Sequence, residues 1–445
     1  MVVETRRRSG SDGSSTELVR KVVLGIGYCI QGLRCFPWMA VNFFLKDGLN
    51  VEPSTLQILQ NAANLPMVAK PLYGVVSDAF YVKDQHRLPY IALGAFLQAV
   101  SWLAIAILSP SSITILSIYL LLSNLGASIA EVANDAIVAE VGKQPASSSK
   151  KNRSSSSGDL PSFVWMASSF GGVLGNLLVG VAIGRMSPQM MFLFFGLLLA
   201  AQFIVTISVH ESALDLPKTV TKAGIGKQLS DLLSALKRPE IANSIIWLAA
   251  SYAVIPALTG TMFFYQTEYL KINTSVLGMS KVFGQVAMLL WGMVYNRHLK
   301  SVPPRKLISA IQVMMALFMV SDILFVKGVY KTMGVPDSLY VVIFSGVMEV
   351  LFFFKILPFS VLMAQLCPLG CEGSLIAFVM SAIALAFIIS GFLGVALASS
   401  VGVTGDDFSG LPLGLAIQAV CTLLPLFQSS WIHDATRSKT RSKGE

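Results

Sequence analysis

Glu131 and Asp135 stand four residues apart in the run ITILSIYLLLSNLGASIAEVANDAIVAE, which begins at Ile113. That spacing puts both carboxylates on one helix face. Two acids that close resist ionising together, which suits a proton-coupling site. The other reading is an ion pair with a basic residue of a neighbouring helix, Lys70 or Arg87, that stabilises packing only. Arg34 lies about 12 residues, roughly 18 Å, from the inner end of its own apolar run. At that depth it seeks either an anionic ligand or a buried acid such as Glu131. Lys70, beside Pro71, is nearer a membrane surface and can snorkel or reach a substrate. Trp38 offers a face to a flat ring, or packs against its neighbours. Later in the chain, Glu349 and Lys355 are six apart and so point to different sides. With Lys281 and Asp322 they are expected either to take part in proton coupling or to form cross-helix ion pairs. Glu268, near a helix end, is expected to be solvated.

The elements that carry these residues are apolar and long. About twelve segments suit a bilayer crossing, which takes ~20 mostly apolar residues: 22–45, 55–77, 89–109, 113–136, 161–183, 189–209, 241–269, 275–295, 306–327, 338–364, 374–400 and 411–431. Ionised groups at such depth are costly, so they mark a water-filled path or a bound ligand. The reading is an all-α membrane protein of two six-helix bundles. Residues 1–21 form a cytosolic tail, 22–209 the first bundle, 210–240 a cytosolic linker, 241–431 the second bundle and 432–445 a second cytosolic tail. Within the first bundle, 142–160 is rich in Ser and Lys and reads as a disordered loop.

Composition agrees and excludes other classes. Of 445 residues, 54% are hydrophobic and 13% charged, about half the charged share of soluble domains, which is roughly 25%. The net charge of +9 could suggest a nucleic-acid partner, but its distribution follows membrane topology. With the N-terminus inside, 24 of the 33 Lys and Arg fall in inside segments and five in outside loops. That bias places both termini in the cytosol and leaves no nucleic acid to explain. Plasma membrane, plastid envelope and vacuole all fit. The five Cys are scattered in or beside apolar segments, a poor disulfide or metal set. With four His and no HExxH pattern, no metal, no cofactor and no enzyme is expected.

The two halves look related. Gly74-Val-Val-Ser-Asp78 ends the second segment and leads through Lys83, His86 and Arg87 to Pro89. Six segments later, Gly292-Met-Val-Tyr-Asn296 leads through Arg297 and Lys300 to Pro303 and Pro304. Pro37 in segment one and Pro256 in segment seven match similarly. Parallel six-helix halves are the repeat of the major facilitator superfamily. The stretch GVVSDAFYVKDQHR resembles that superfamily's loop signature, which implies a gating role for Gly74, Asp78 and Arg87. Asp78 would accept a hydrogen bond from Arg87 or from a helix N-terminus in one state and lose it in the other.

A narrower resemblance follows. KPLYGVVSDAFYVKDQHRLPYIALGAFLQAVSW, from Lys70 to Trp102, is similar to the folate-biopterin transporter family. So are Gln31-Gly-Leu-Arg34, Phe43-Phe44-Leu45-Lys46-Asp47, the acidic motif from Glu131 to Glu140, and Ser169-Phe-Gly171-Gly172-Val-Leu-Gly175. Glu131 stands where the family pattern has Asp, which keeps the charge. The likeness covers about residues 25–185. It implies a secondary transporter that moves folates or pterins by alternating access, with protons as the expected coupling ion in a symport. The substrate-binding residues would be Arg34, Lys70 and Trp38, since an Arg fork suits a carboxylate and an aromatic face suits a pterin ring. The alternative is a transporter of another organic anion or small metabolite. The expected working unit is a monomer in the lipid bilayer.

Overall fold

The computed structural model describes residues 2–83, 85–110, 112–142, 156–214, 225–299, 301–366 and 372–432. Among them there is no strand beyond one bridge between Val82 and Gln85. Ten helical stretches are long and apolar enough to cross a bilayer. The other two expected segments are present but interrupted, and proline accounts for the interruptions. Segment two consists of α3 (Pro53–Ala63), a 3-10 turn (Leu65–Ala69) and α4 (Lys70–Ala79). Pro66 and Pro71 lack the N–H that would carry one α-helix through. Segment seven consists of α10 (Pro239–Ala253) and α11 (Thr259–Phe264), parted at Pro256.

Segment one comprises α1 (Val2–Leu33) and α2 (Cys35–Phe43). Next come α5 (Leu88–Leu108), α6 (Ile113–Gly142), α7 (Ser156–Ala182) and α8 (Pro188–Ser208). A 3-10 turn, Glu211–Leu214, and α9 (Ile225–Leu236) lie between the two sets of six. The second set continues with α12 (Thr274–Val294) and α13 (Pro304–Val326). Segment ten runs from α14 (Asp337–Tyr340) through α15 (Gly346–Phe354) to α16 (Ile356–Leu366). Then come α17 (Glu372–Ser400) and α18 (Leu411–Leu423). Most of the expected loop 142–160 and all of 433–445 lie outside the described residues, as does 215–224 of the linker.

By contact the chain resolves into two compact units. One holds residues 1–38, 69–175 and 189–227; the other holds 39–68, 176–188 and 228–445. In the first, small residues bring helices together. A Cβ on Gly32 would come within 2.0 Å of the Ser168 carbonyl oxygen, and one on Gly171 within 2.0 Å of that of Cys29. The α1–α7 crossing therefore needs both glycines, as small-residue interfaces in membranes do. Trp102, fully buried, stacks on Phe192 at 5.5 Å and takes Trp38 edge-on at 6.3 Å.

The second unit shows the half-repeat in its backbone. Phe44–Gly48 and Tyr265–Tyr269 are both π turns closing a helix, in segments one and seven. Each is followed, six residues after its start, by a left-handed residue, Asn50 (φ 50°) or Lys271 (φ 51°). The same bonds recur: Val51 N–H to the Leu45 carbonyl, and Ile272 N–H to the Gln266 carbonyl. Glu268 on the second turn pairs with Lys46 on the first and with Lys271 at 3.2 Å. Its side chain is 39% exposed, so it is both partly solvated, as expected, and paired.

Candidate functional site

Arg34 sits where segment one breaks. Pro37 has no N–H to offer the Leu33 carbonyl, so the helix opens one turn before the proline. Arg34 Nη1 donates to Glu131 Oε1 at 2.6 Å, and Nη2 donates to Asn124 Oδ1 at 2.6 Å. Lys70 is placed by the second break, as the first residue of α4. Its Nζ donates to Glu131 Oε2 at 2.6 Å. One nearly buried carboxylate therefore holds two cations, each about four-fifths buried. By direct contact, two positive groups thus share one negative. Asp135, one turn along α6, acts on Lys70 electrostatically but pairs with neither cation. Its carboxylate accepts from Tyr28 Oη at 2.5 Å.

Beside this cluster lies a small cavity of about 20 Å³, lined by Gln31, Arg34, Gln98, Glu131, Asn134 and Gln202 together with small and aliphatic residues. Gln31 Oε1 and Asn134 Oδ1 are buried there without a protein hydrogen-bond partner, and so are open to water or to a ligand N–H. That space holds about one water molecule, so in this conformation a solute would have to widen it. Trp38 packs on Trp102 rather than lining this cavity. Sequence reasoning passed over Asn124, Gln31, Gln98 and Gln202. The available signal was spacing: Asn124, Ala127, Glu131 and Asn134 recur at three and four residues, one polar stripe on α6.

A second cluster latches the ends of α4, α5 and α6. Arg87 Nε and Nη2 donate to Glu140 Oε1 at 3.0 and 2.5 Å, and Nη1 donates to Ser77 Oγ at 2.7 Å. Asp78, the expected partner of Arg87, has its side chain outside the described residues. A Cβ on Gly74 would meet Val132 at an ordinary 3.5 Å. Glu211 is central. Its Oε2 accepts from the backbone N–H of His86 and Arg87, both at 2.9 Å, at the start of α5 where a negative charge is favoured. Its Oε1 lies 2.6 Å from His86 Nδ1. Burial by itself would raise the Glu211 carboxyl, but bonds from His86 and from the backbone of Arg87 and Leu88 hold it below its usual range. Burial likewise opposes a charged His86, yet Glu140 and Glu211 outweigh it and lift the imidazole to about 9.

In the second unit, Glu349 forms an ion pair with Lys281, between segments ten and eight. Asp322 is buried and accepts from Tyr340 Oη at 3.3 Å. Lys355 is fully buried and meets no carboxylate among the described residues. Gln57 of α3 staples the unwound part of segment seven. Its Nε2 donates to the carbonyls of Ala257 at 2.6 Å and Gly391 at 2.7 Å, while its Oε1 accepts from Gly260 N–H at 2.9 Å.

The sequence profile of the BT1 family matches residues 31–444. The chain is 64% identical to "Probable folate-biopterin transporter 7" of Arabidopsis thaliana, over 95% of both chains. It is 42% identical to "Probable folate-biopterin transporter 9, chloroplastic" of the same plant, over 95% of this chain and 80% of that one. Among solved structures, a D-xylose-proton symporter superposes with a TM-score of 0.69 at 15% identity, covering 94% of this chain and 99% of the other. That likeness shows the major facilitator fold. With its helices, its paired halves and its buried charges, this multi-pass membrane transporter belongs to the BT1 family, and relatives named probable folate-biopterin transporters are similar to it over most of their length.

Proposed function

We propose that the chain moves folates or pterins across its membrane by alternating access, with both termini on the cytosolic side. The observation that carries this reading is the charge pairing at Glu131. Arg34 and Lys70 share a single directly bonded carboxylate, and a cation only half-matched in a low-dielectric interior attracts an anion. A folate glutamate tail supplies carboxylates that an Arg fork binds. The amides of Gln31, Asn134, Gln98 and Gln202 offer mixed donors and acceptors, which match the edge of a pterin ring. The names of the relatives support the same substrate class. The breaks at Pro37, Pro256 and the Pro66–Pro71 stretch support alternating access, because they let segment halves tilt independently. Asp135 and Glu131 remain candidates for proton coupling, and Arg87, Gly74 and Asp78 for gating.

The test is uptake of labelled folates and pterins by cells unable to make or import folate, expressing the full chain, with a panel of other organic anions alongside. Uptake competed by unlabelled folate is expected, with Arg34→Ala abolishing it. Transport of another anion in preference to folates and pterins would replace the substrate class, and unchanged kinetics in Arg34→Ala would remove that residue from the site.

A further inference from the structure

Segment ten breaks at Lys355, between α15 and α16. The cause is Pro358, three residues on, which has no N–H for the Phe354 carbonyl. Segment one breaks in the same way at Arg34, three residues before Pro37. In both, the next bond bridges the break: Trp38 N–H to the Arg34 carbonyl at 3.3 Å, and Phe359 N–H to the Lys355 carbonyl at 3.2 Å. The two breaks differ in what they present to the cation. Arg34 meets a carboxylate, whereas among the described residues Lys355 meets neutral groups only.

Those groups define its protonation state. Lys355 Nζ lies 2.8 Å from Gln312 Oε1, 3.0 Å from Ser251 Oγ and 3.4 Å from the Ser251 carbonyl oxygen. The Tyr252 ring lies 3.9 Å away, face towards the nitrogen. Gln312 donates through Nε2 to the Thr422 carbonyl at 2.8 Å, which turns its oxygen to Lys355. The Ser251 hydroxyl donates its hydrogen to the Leu248 carbonyl at 2.7 Å, so only lone pairs face the lysine. Three acceptors and no donor surround the nitrogen. A neutral amine has two N–H groups and a lone pair that would face an oxygen; an ammonium has three donors and satisfies the shell. The shell is built for an ammonium, yet it brings no negative charge.

Among the described residues, the surrounding ionisable groups do not supply one. On α10 the group facing Lys355 is the Tyr252 ring, whose hydroxyl donates to the Phe352 carbonyl at 2.6 Å. On α12, Lys281 is taken by Glu349 of α15. On α13, Asp322 lies ten residues along from Gln312 and is bonded to Tyr340. Residues 373–400 of α17 include no ionisable side chain. A lone ammonium in an apolar interior is costly, and lysine, unlike arginine, can give up its proton.

We propose that Lys355 is a proton-binding site of the transport cycle. It holds one proton in the conformation seen here and releases it to water when the α15–α16 break rearranges, so that one proton crosses with each turnover. This rests on the transport reading above. The test uses the full chain in vesicles of neutral phospholipid. Two readouts are compared, accumulation of labelled folate or pterin driven by a pH gradient, and exchange of labelled for unlabelled solute without a gradient. In Lys355→Met, gradient-driven accumulation is expected to fall by about tenfold or more, the scale of a coupling free energy, with exchange far less affected. If Lys355→Met does not fold, Gln312→Glu decides. It supplies the missing charge, fixes the proton on Lys355 and is expected to give the same split. A folded variant that keeps the wild-type response to the gradient, or loses exchange in step with accumulation, overturns the proposal. Wild-type transport indifferent to the gradient also overturns it, whereas no folate or pterin transport at all would overturn the substrate reading instead.

Discussion

Glu131 Oε1 accepts from Arg34 Nη1 at 2.6 Å, and the oxygen this leaves over is the one that Lys70 takes. Replacing the carboxylate by an amide leaves two nearly buried cations without a counter-charge. Breaking a buried pair from one side costs about 3–5 kcal/mol. Glu131→Gln is therefore expected to lower thermal stability in detergent by that order and to lose uptake. Glu131→Asp should keep most of the stability. Unfolding curves for the two variants check this, and an unchanged melting point in Glu131→Gln would contradict the charge argument.

Arg34→Lys separates charge from geometry. The charge survives, but one ammonium cannot hold Glu131 and Asn124 as the guanidinium fork does. A raised KM for an anionic substrate with a smaller change in stability is the expected outcome, measured by concentration-dependent uptake beside unfolding curves.

His86 gives the α4–α6 latch a pH dependence with a definite sign. The folded imidazole titrates at about 9 against an ordinary 6.5. Its contribution is thus fully present below the ordinary value and is lost as pH rises through about 9. Stability measured between those limits should fall with pH in the wild type. The slope should flatten in His86→Gln.

Gln57→Leu leaves one carbonyl and one N–H of the segment-seven break, and the Gly391 carbonyl of α17, without this partner. Each buried group left unmade costs about 1–3 kcal/mol. Hydrogen exchange across residues 254–262 is expected to accelerate. Protection equal to wild type would show that the unwound stretch holds itself.

Gly32→Val tests the α1–α7 crossing, where even a methyl group would come within 2.0 Å of backbone. Overpacking a tight interface costs about 1–3 kcal/mol or more. Loss of monodisperse protein is expected, while Gly184→Val, with nothing within 4 Å of an added Cβ, is expected to be tolerated.

Apolar run length and the placement of Lys and Arg were enough to read a two-bundle transporter, because a bilayer demands long apolar helices whatever they pack against. The motifs around Arg34, Lys70 and Glu131 placed the family, and depth alone marked those three residues as needing partners. Which partner each took was not written locally. Glu131 binds Arg34 and Lys70 at once, Glu349 binds Lys281, and Lys355 finds, among the described residues, only amide, hydroxyl, carbonyl and ring. Those choices depend on how helices far apart in sequence rotate against one another. Glu211 shows the same limit, as an ordinary loop acid in sequence that becomes the cap of α5 once folding brings residue 211 to residue 86. Hydrophobicity is a property of each stretch of chain and so is legible in it. Pairing and desolvation belong to distances between stretches, which only the packed helices set.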